Sequence, residues 1–98
     1  MPLSKNILIV DDDSIVLLIL KEALKKLVKI DTCSNGIEAL HLMALCNYPL
    51  VILDINMPYV NGIDLINFLE RTNKINNTKF ILISSAMSDY KDIKLKIL

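Results

Sequence analysis

The stretch that most constrains this 98-residue chain is Leu50–Asp54, four apolar residues that end on an aspartate. Pro49 precedes the stretch, and a loop that contains Pro58 and Gly62 follows it. An apolar run of this length between turn residues predicts a strand that is buried on both faces of a parallel sheet. Ligands of such sheets gather beyond the carboxyl ends of the strands, so Asp54 is predicted to lie at a binding edge.

A second apolar run, residues 7–10, ends in the same way on Asp11, Asp12 and Asp13. Two parallel strands that deliver carboxylates to one edge of a sheet create an acidic pocket. Carboxylates that lie close together repel one another, so the pocket needs a cation. A hard divalent ion, which prefers oxygen ligands, would suit it.

The length predicts one small domain over residues 1–98, because so short a chain cannot build two cores. We expect this domain to be cytoplasmic. The hydrophobic fraction of 53% argues against disorder. Lys+Arg 11 balances Asp+Glu 11, so we expect no nucleic-acid binding by this segment. No apolar run approaches the roughly 20 residues of a membrane span, and no signal peptide is expected. Cys33 and Cys46 have no metal-like spacing and are predicted to be reduced thiols.

Strands alternate with helices along the chain, which predicts an α/β doubly wound sheet. Strands are expected near residues 6–10, 28–33, 50–54 and 79–83, the second of them at an edge because it alternates apolar and polar residues. Helices are expected over residues 14–27, 37–45 and 62–71. The residues predicted to face the core are Val16, Ile19, Leu20, Ala23, Leu24 and Leu27 in the first helix, Ile37, Leu40, Met43 and Ala44 in the second, and Ile63, Ile66, Phe68 and Leu69 in the third.

Three local features have two interpretations each. Leu17 and Leu18 fall outside the first helical stripe and form either a packing seam or a partner-docking patch. His41 has no second ligand in view, so a functional role is not favoured. The tail, residues 88–97, fits a helix capped by Ser88, although residues 93–97 alternate like a strand. Helix is favoured, because a parallel return strand needs a crossover of a dozen or more residues.

Three motifs carry a resemblance to a known family: residues 7–14 (ILIVDDDS), residues 50–58 (LVILDINMP) with Gly62, and residues 81–86 (ILISSA). Together they resemble the receiver domain of two-component response regulators, which are phosphorylated signalling modules. The resemblance implies a flavodoxin-like fold with strand order 2-1-3-4. Relative to the family pattern the domain is expected to be incomplete at its carboxyl terminus, without the family's fifth strand and fifth helix.

The resemblance also assigns roles to residues. Asp54 is implied as the phospho-acceptor, and Ser85 as the hydroxyl that hydrogen-bonds the phosphoryl group, with Ser84 as the alternative. Asp11, Asp12, Asp54 and the backbone carbonyl of Asn56 are implied as ligands of Mg²⁺, or alternatively Mn²⁺. The implied partner is a histidine kinase or a histidine phosphotransfer protein. A turnover enzyme is not expected.

Two other function classes compete with this interpretation. The family's lysine on the fifth strand has no counterpart here, since Lys91, Lys94 and Lys96 lie too close to Ser85 in sequence. Its absence favours a receiver-like binding module that does not turn over phosphate. A phosphohydrolase of the haloacid-dehalogenase type also uses a strand-end aspartate, but it expects a second aspartate at position 56, where this chain has asparagine.

A final expectation concerns assembly. Residues 80–83 of the fourth predicted strand are continuously apolar, which is typical of an interior strand, yet no further strand is predicted beside it. We therefore expect either homodimerisation through the edge of this strand and the face of the first helix, or a longer chain whose remainder completes the sheet. Without a covering partner, some of the leucines on that helix are expected to lie in water, among Leu17, Leu20, Leu24 and Leu27.

Overall fold

A computed structural model of the chain shows a mostly parallel sheet with helices on both faces. It describes residues 6–55, 57, 62–72, 78–86 and 89–97, with the backbone alone from residue 84 onward. In chain order the elements are β1 (Asn6–Val10), α1 (Ser14–Leu24), β2 (Lys29–Cys33), α2 (Gly36–Leu45), β3 (Leu50–Asp54), α3 (Gly62–Arg71), β4 (Lys79–Ala86) and β5 (Asp89–Ile97). Within these segments no helix combines the length and the apolarity that a membrane span requires.

The sheet has the order β2-β1-β3-β4-β5. The first four strands run parallel, which confirms the predicted order 2-1-3-4 and places the alternating strand β2 at the edge. In the register of β1 and β3, Val10 pairs with Leu53. The residue after each of these, Asp11 and Asp54, therefore lies at the same level of the sheet.

The helix predicted for the tail is wrong, because residues 89–97 form β5 and pair with β4 in the antiparallel direction. An antiparallel neighbour needs only a short connection, whereas the crossover argument applies to a parallel one. The alternation of residues 93–97 was thus the correct local signal. The prediction that the outer edge of β4 lies open is also wrong, since β5 occupies it. A fifth strand is therefore present, but it is not a parallel one.

The apolar core lies on both faces of the sheet. Strand residues such as Leu8, Leu53 and Phe80 are fully buried under α2 and α3, against Leu65 and Leu69 of α3. On the other face Ile7, Ile9 and Ile52 are covered by α1, which contributes half-buried leucines: Leu17, Leu20 and Leu24.

Several predicted helix faces differ from the observed ones. In α1 the predicted core residues Ile19 and Ala23 are exposed, and Leu27 is exposed beyond the end of the helix. The side chains that contact the sheet are Leu17, Leu20 and Leu24. Leu17 is thus a packing residue, and Leu18 is exposed. Four side chains that were predicted to face the core are exposed: Ile37 and Ala44 of α2, and Ile63 and Phe68 of α3. The pattern also missed two buried positions, Ala39 and Leu65.

Candidate metal and phosphoryl site

Three aspartates meet at the carboxyl edge of the sheet. Asp54 is the last residue of β3, and Asp11 follows β1, whose last residue pairs with Leu53. Asp12 lies in the short connection to α1. One ligand oxygen from each of Asp11, Asp12 and Asp54 lies within 4.8 Å of the other two. The acidic pocket predicted from the two strand ends is therefore present in the geometry.

The pocket has a buried floor and an exposed rim. Asp11 and Asp54 have relative exposures of 3% and 4%, whereas Asp12 is exposed. The sheet holds the buried pair, and Asp12 is the member of the group that is exposed to solvent.

Burial raises the pKa of Asp11 from 3.8 to about 6, chiefly because desolvation disfavours the carboxylate. The backbone N–H of Asp13 opposes this effect by donating to Asp11 Oδ1 at 2.9 Å. The charges of Asp54 and Asp12 and a hydrogen bond with Asp54 raise the pKa of Asp11 further. The shift therefore reflects burial first and like-charge repulsion second, and a bound cation would favour the ionised form against both.

The donor set fits a hard divalent cation. Carboxylate oxygens are the ligands that magnesium prefers, at about 2.1 Å, so opposite ligands of an octahedral ion stand roughly 4.2 Å apart. The 4.8 Å spread of the three oxygens is only slightly larger than that span. The three oxygens are therefore close enough together to share one ion.

The start of α1 holds the loop that carries Asp12. Asp13 is the N-cap residue, and its Oδ1 accepts a hydrogen bond from the backbone N–H of Ile15 at 2.9 Å. The backbone N–H of Asp13 binds Asp11, as described above, so this residue links the helix start to the pocket floor. The contact with Asp11 could not be predicted from the sequence, since a backbone donor leaves no signal in residue type.

The start of α3 lies directly against the end of β3. A Cβ at Gly62 would come within 2.8 Å of the Cα of Ile55 and 2.9 Å of the carbonyl oxygen of Asp54. The Gly62 N–H also donates to the Ile55 carbonyl at 3.3 Å. Only glycine allows this approach without a shift, so Gly62 helps to fix the backbone that carries Asp54. Met57 is buried in the same region.

The remaining predicted residues are Asn56, Ser84, Ser85 and His41. Asn56 lies outside the described residues. The backbones of Ser84 and Ser85 lie on β4, the strand next to β3, and Ser84 is the register partner of Lys94 on β5. His41 is exposed on α2.

Comparison with known proteins gives one consistent family. A sequence model described as the response regulator receiver domain matches residues 7–97. The sensor protein EvgS of Escherichia coli O157:H7 is 38% identical over 74 residues, which are 74% of this chain and 6% of EvgS. The protein-glutamate methylesterase/protein-glutamine glutaminase of Pyrococcus horikoshii is 27% identical over 96 residues, or 95% of this chain and 25% of that protein. The chain thus spans a quarter or less of these relatives.

Solved structures agree with the sequence comparison. The response regulator TrrA of Thermotoga maritima, in complex with Mg²⁺ and BeF, has a TM-score of 0.75 and 38% identity, covering 91% of this chain and 76% of TrrA. The receiver domain of Francisella response regulator 1452 has a TM-score of 0.77 and 29% identity, covering 90% and 72%.

Proposed function

Because this chain belongs to the family of response regulator receiver domains, we propose that it accepts a phosphoryl group on Asp54 in a Mg²⁺-dependent reaction. The phosphodonor is a histidine kinase or a histidine phosphotransfer protein, and the phosphorylated domain acts on a partner or an output domain. The observation that carries the proposal is the convergence of Asp11, Asp12 and Asp54 within 4.8 Å at the carboxyl edge of the sheet.

The reaction is a transfer from nitrogen to oxygen. A carboxylate oxygen of Asp54 attacks the phosphorus of a phosphohistidine, the P–N bond breaks, and the products are an aspartyl phosphate and a free imidazole. Such transfers depend mainly on position and on neutralisation of charge. Asp54 is suited to the nucleophile's role because it ends a buried strand, and Gly62 packs against its carbonyl oxygen.

Asp11 and Asp12 have the complementary task of holding the cation, together with Asp54 and the backbone carbonyl of Asn56. The cation, Mg²⁺ or in its place Mn²⁺, would supply the positive charge that offsets the incoming phosphoryl group. The TrrA complex with Mg²⁺ and BeF supports this assignment through its similarity to this chain. Ser85, or in its place Ser84, is proposed to hydrogen-bond the phosphoryl oxygens.

Phosphorylation of the chain by a small acyl phosphate in the presence of Mg²⁺ tests the proposal directly. Intact-mass spectrometry should show the addition of one phosphoryl group to the parent chain and none to Asp54→Asn. Asp13→Asn is the matched control, because it removes one carboxylate beside the pocket while asparagine still caps α1. We expect this control to be labelled like the parent.

The assay also separates the proposal from the alternative function. Label that appears equally in Asp54→Asn would show that the acceptor is wrong. A folded parent that binds Mg²⁺ but takes no phosphoryl group would favour a receiver-like binding module.

A further inference from the structure

The outer side of β2, which we call the β2 edge, runs along residues 28–32 and presents backbone hydrogen-bonding groups. Among the described strands β2 is the outermost on its side of the sheet, and it pairs with β1. The backbone N–H of Asp11 donates to the Cys33 carbonyl at 3.1 Å, so the backbone groups of Cys33 point toward β1. Because these groups alternate in direction along a strand, those of Ile30 and Thr32 point away from β1. An edge of this kind is a template for a further strand.

Two opposite charges flank Ile30 on this edge. Lys29 is exposed, and within the described segments it belongs to no ion pair. Asp31 is half-buried, and its Oδ2 accepts a hydrogen bond from the Tyr48 hydroxyl at 2.7 Å. Burial, and then this contact with Asp31, raises the pKa of Tyr48 above its usual range. The tyrosine therefore stays neutral, and in the described part of the chain no cation offsets the negative charge of Asp31.

These two charges are self-complementary in one antiparallel register. When Ile30 lies opposite the same residue of a second copy, Lys29 of each copy lies opposite Asp31 of the other. The two residues form a non-hydrogen-bonded pair, in which side chains approach most closely. A contact centred on Lys29 would oppose two lysines, and one centred on Asp31 would oppose two aspartates, which is destabilising. The charges therefore favour one register and disfavour its two neighbours.

Apolar side chains beside the edge support the same arrangement. Val28 and Ile30 are half-buried and pack on the sheet face that α1 covers. Leu27, immediately before the strand, is 77% exposed, the largest value among the large apolar side chains of the described residues. A two-fold axis perpendicular to the sheet makes one edge contact itself and keeps the α1 sides of both copies on the same face. The apolar layer under α1 would then continue from one copy into the other.

We propose that the β2 edge binds a second copy of this chain, antiparallel about a two-fold axis at Ile30, so that two sheets join into one. The contact lies on the side of the sheet opposite β4 and β5. One strand edge is small beside a standard stable interface, so the dimer is weak and depends on concentration. It does not require phosphorylation, and it does not rest on the role proposed for Asp54.

Sedimentation velocity of the 98-residue chain, from roughly 10 µM to 1 mM, tests this contact in the range where weak dimers dissociate. The parent should shift from monomer to dimer across the series. Lys29→Asp should raise the dissociation constant roughly tenfold or more, because it opposes aspartates on both sides of the axis. Lys79→Asp is the matched control, since Lys79 is also exposed and is also the first residue of a parallel strand, β4. Circular dichroism establishes that each variant is folded.

A mixing experiment tests the register. Asp31→Lys alone should also weaken the dimer, because it opposes lysines to lysines. An equimolar mixture of Lys29→Asp and Asp31→Lys chains should dimerise again, since each aspartate of one chain then lies opposite a lysine of the other. Tyr48→Phe removes the hydrogen bond to Asp31 but keeps both charges, so it should dimerise like the parent.

Amide hydrogen exchange followed by NMR locates the contact on the chain. At 1 mM the outward amides of Ile30 and Thr32 should exchange more slowly in the parent than in Lys29→Asp. A dimer without this protection would lie elsewhere on the molecule and would overturn the proposal. A parent that stays monomeric to 1 mM, a mixture that does not dimerise, or equal weakening by Lys29→Asp and Lys79→Asp would overturn it as well.

Discussion

At the scale of a single residue, the ionisation of Asp11 makes the free energy of unfolding depend on pH. Its pKa of about 6 lies above the ordinary 3.8, so the folded protein binds this proton more tightly than the unfolded chain. The stability that this proton contributes is present below about pH 4 and is lost as the pH rises through 6. The rise in pKa from 3.8 to about 6 corresponds to a contribution of at most roughly 3 kcal/mol to the free energy of unfolding.

We therefore predict that Asp11→Asn, which cannot ionise, gains stability relative to the metal-free parent as the pH rises from 4 to 7. Urea denaturation in a chelator at several pH values measures the difference in free energy of unfolding. A difference that stays constant across this window would show that Asp11 is not protonated in the folded state. Asp13→Asn is the control, and its difference from the parent should not follow the same curve.

The two cysteines should differ in reactivity, also at the residue scale. Cys33 is buried, and burial raises the pKa of its thiol to about 12, whereas Cys46 is exposed. The thiolate is the reactive form, so a disulfide reagent should titrate one thiol rapidly in the native protein and the second only on unfolding. In Cys46→Ser the rapid phase should vanish. Two rapid thiols in the native parent would contradict the burial of Cys33.

At the scale of elements, the contact between α3 and the end of β3 predicts a coupled defect. Gly62→Ala adds a methyl group where 2.8 Å separates it from backbone, so the helix start or the Asp54 segment must shift. Overpacking of this kind costs about 1–3 kcal/mol. We expect lower stability in urea and slower labelling by acyl phosphate. Asn67→Ala, on the exposed side of the same helix, should show neither effect. If Gly62→Ala were destabilised but labelled at the normal rate, this contact would not affect the site.

The elements also show what the sequence determines. The parallel strands were predicted within a few residues because a run such as Leu50–Asp54 has a single interpretation. The inward face of α1 was not predicted correctly, because residues 15–20 are all apolar and no polar residue among them marks the solvent side. Whether the tail forms a strand depends on its pairing with β4 and not on its own residues alone. The alternation of residues 93–97 therefore could not be weighed against the helical spacing of the tail. The pocket was predictable because strand ends bring distant aspartates to one level.

At the scale of the whole molecule, metal binding and folding should be linked. An ion that binds only the folded chain stabilises it by about 1.4 kcal/mol at ten times its dissociation constant. For a domain of this size that energy raises the melting temperature by roughly 5–10 °C. We predict such a rise with millimolar Mg²⁺ at pH 7.5, and little rise with Asp12→Asn. Asp13→Asn should respond like the parent.

The same linkage predicts how Mg²⁺ and protons compete for the pocket. Mg²⁺ needs the ionised form of Asp11, and the proton that occupies this carboxyl below about pH 6 must leave when the ion binds. The increase in melting temperature should therefore be large at pH 7.5 and small at pH 5. In Asp11→Asn the increase should be smaller and nearly independent of pH. Calorimetric titration in two buffers of different ionisation enthalpy would count the protons released at pH 6. A parent chain that gains the same stability from Mg²⁺ at both pH values would place the ion away from Asp11.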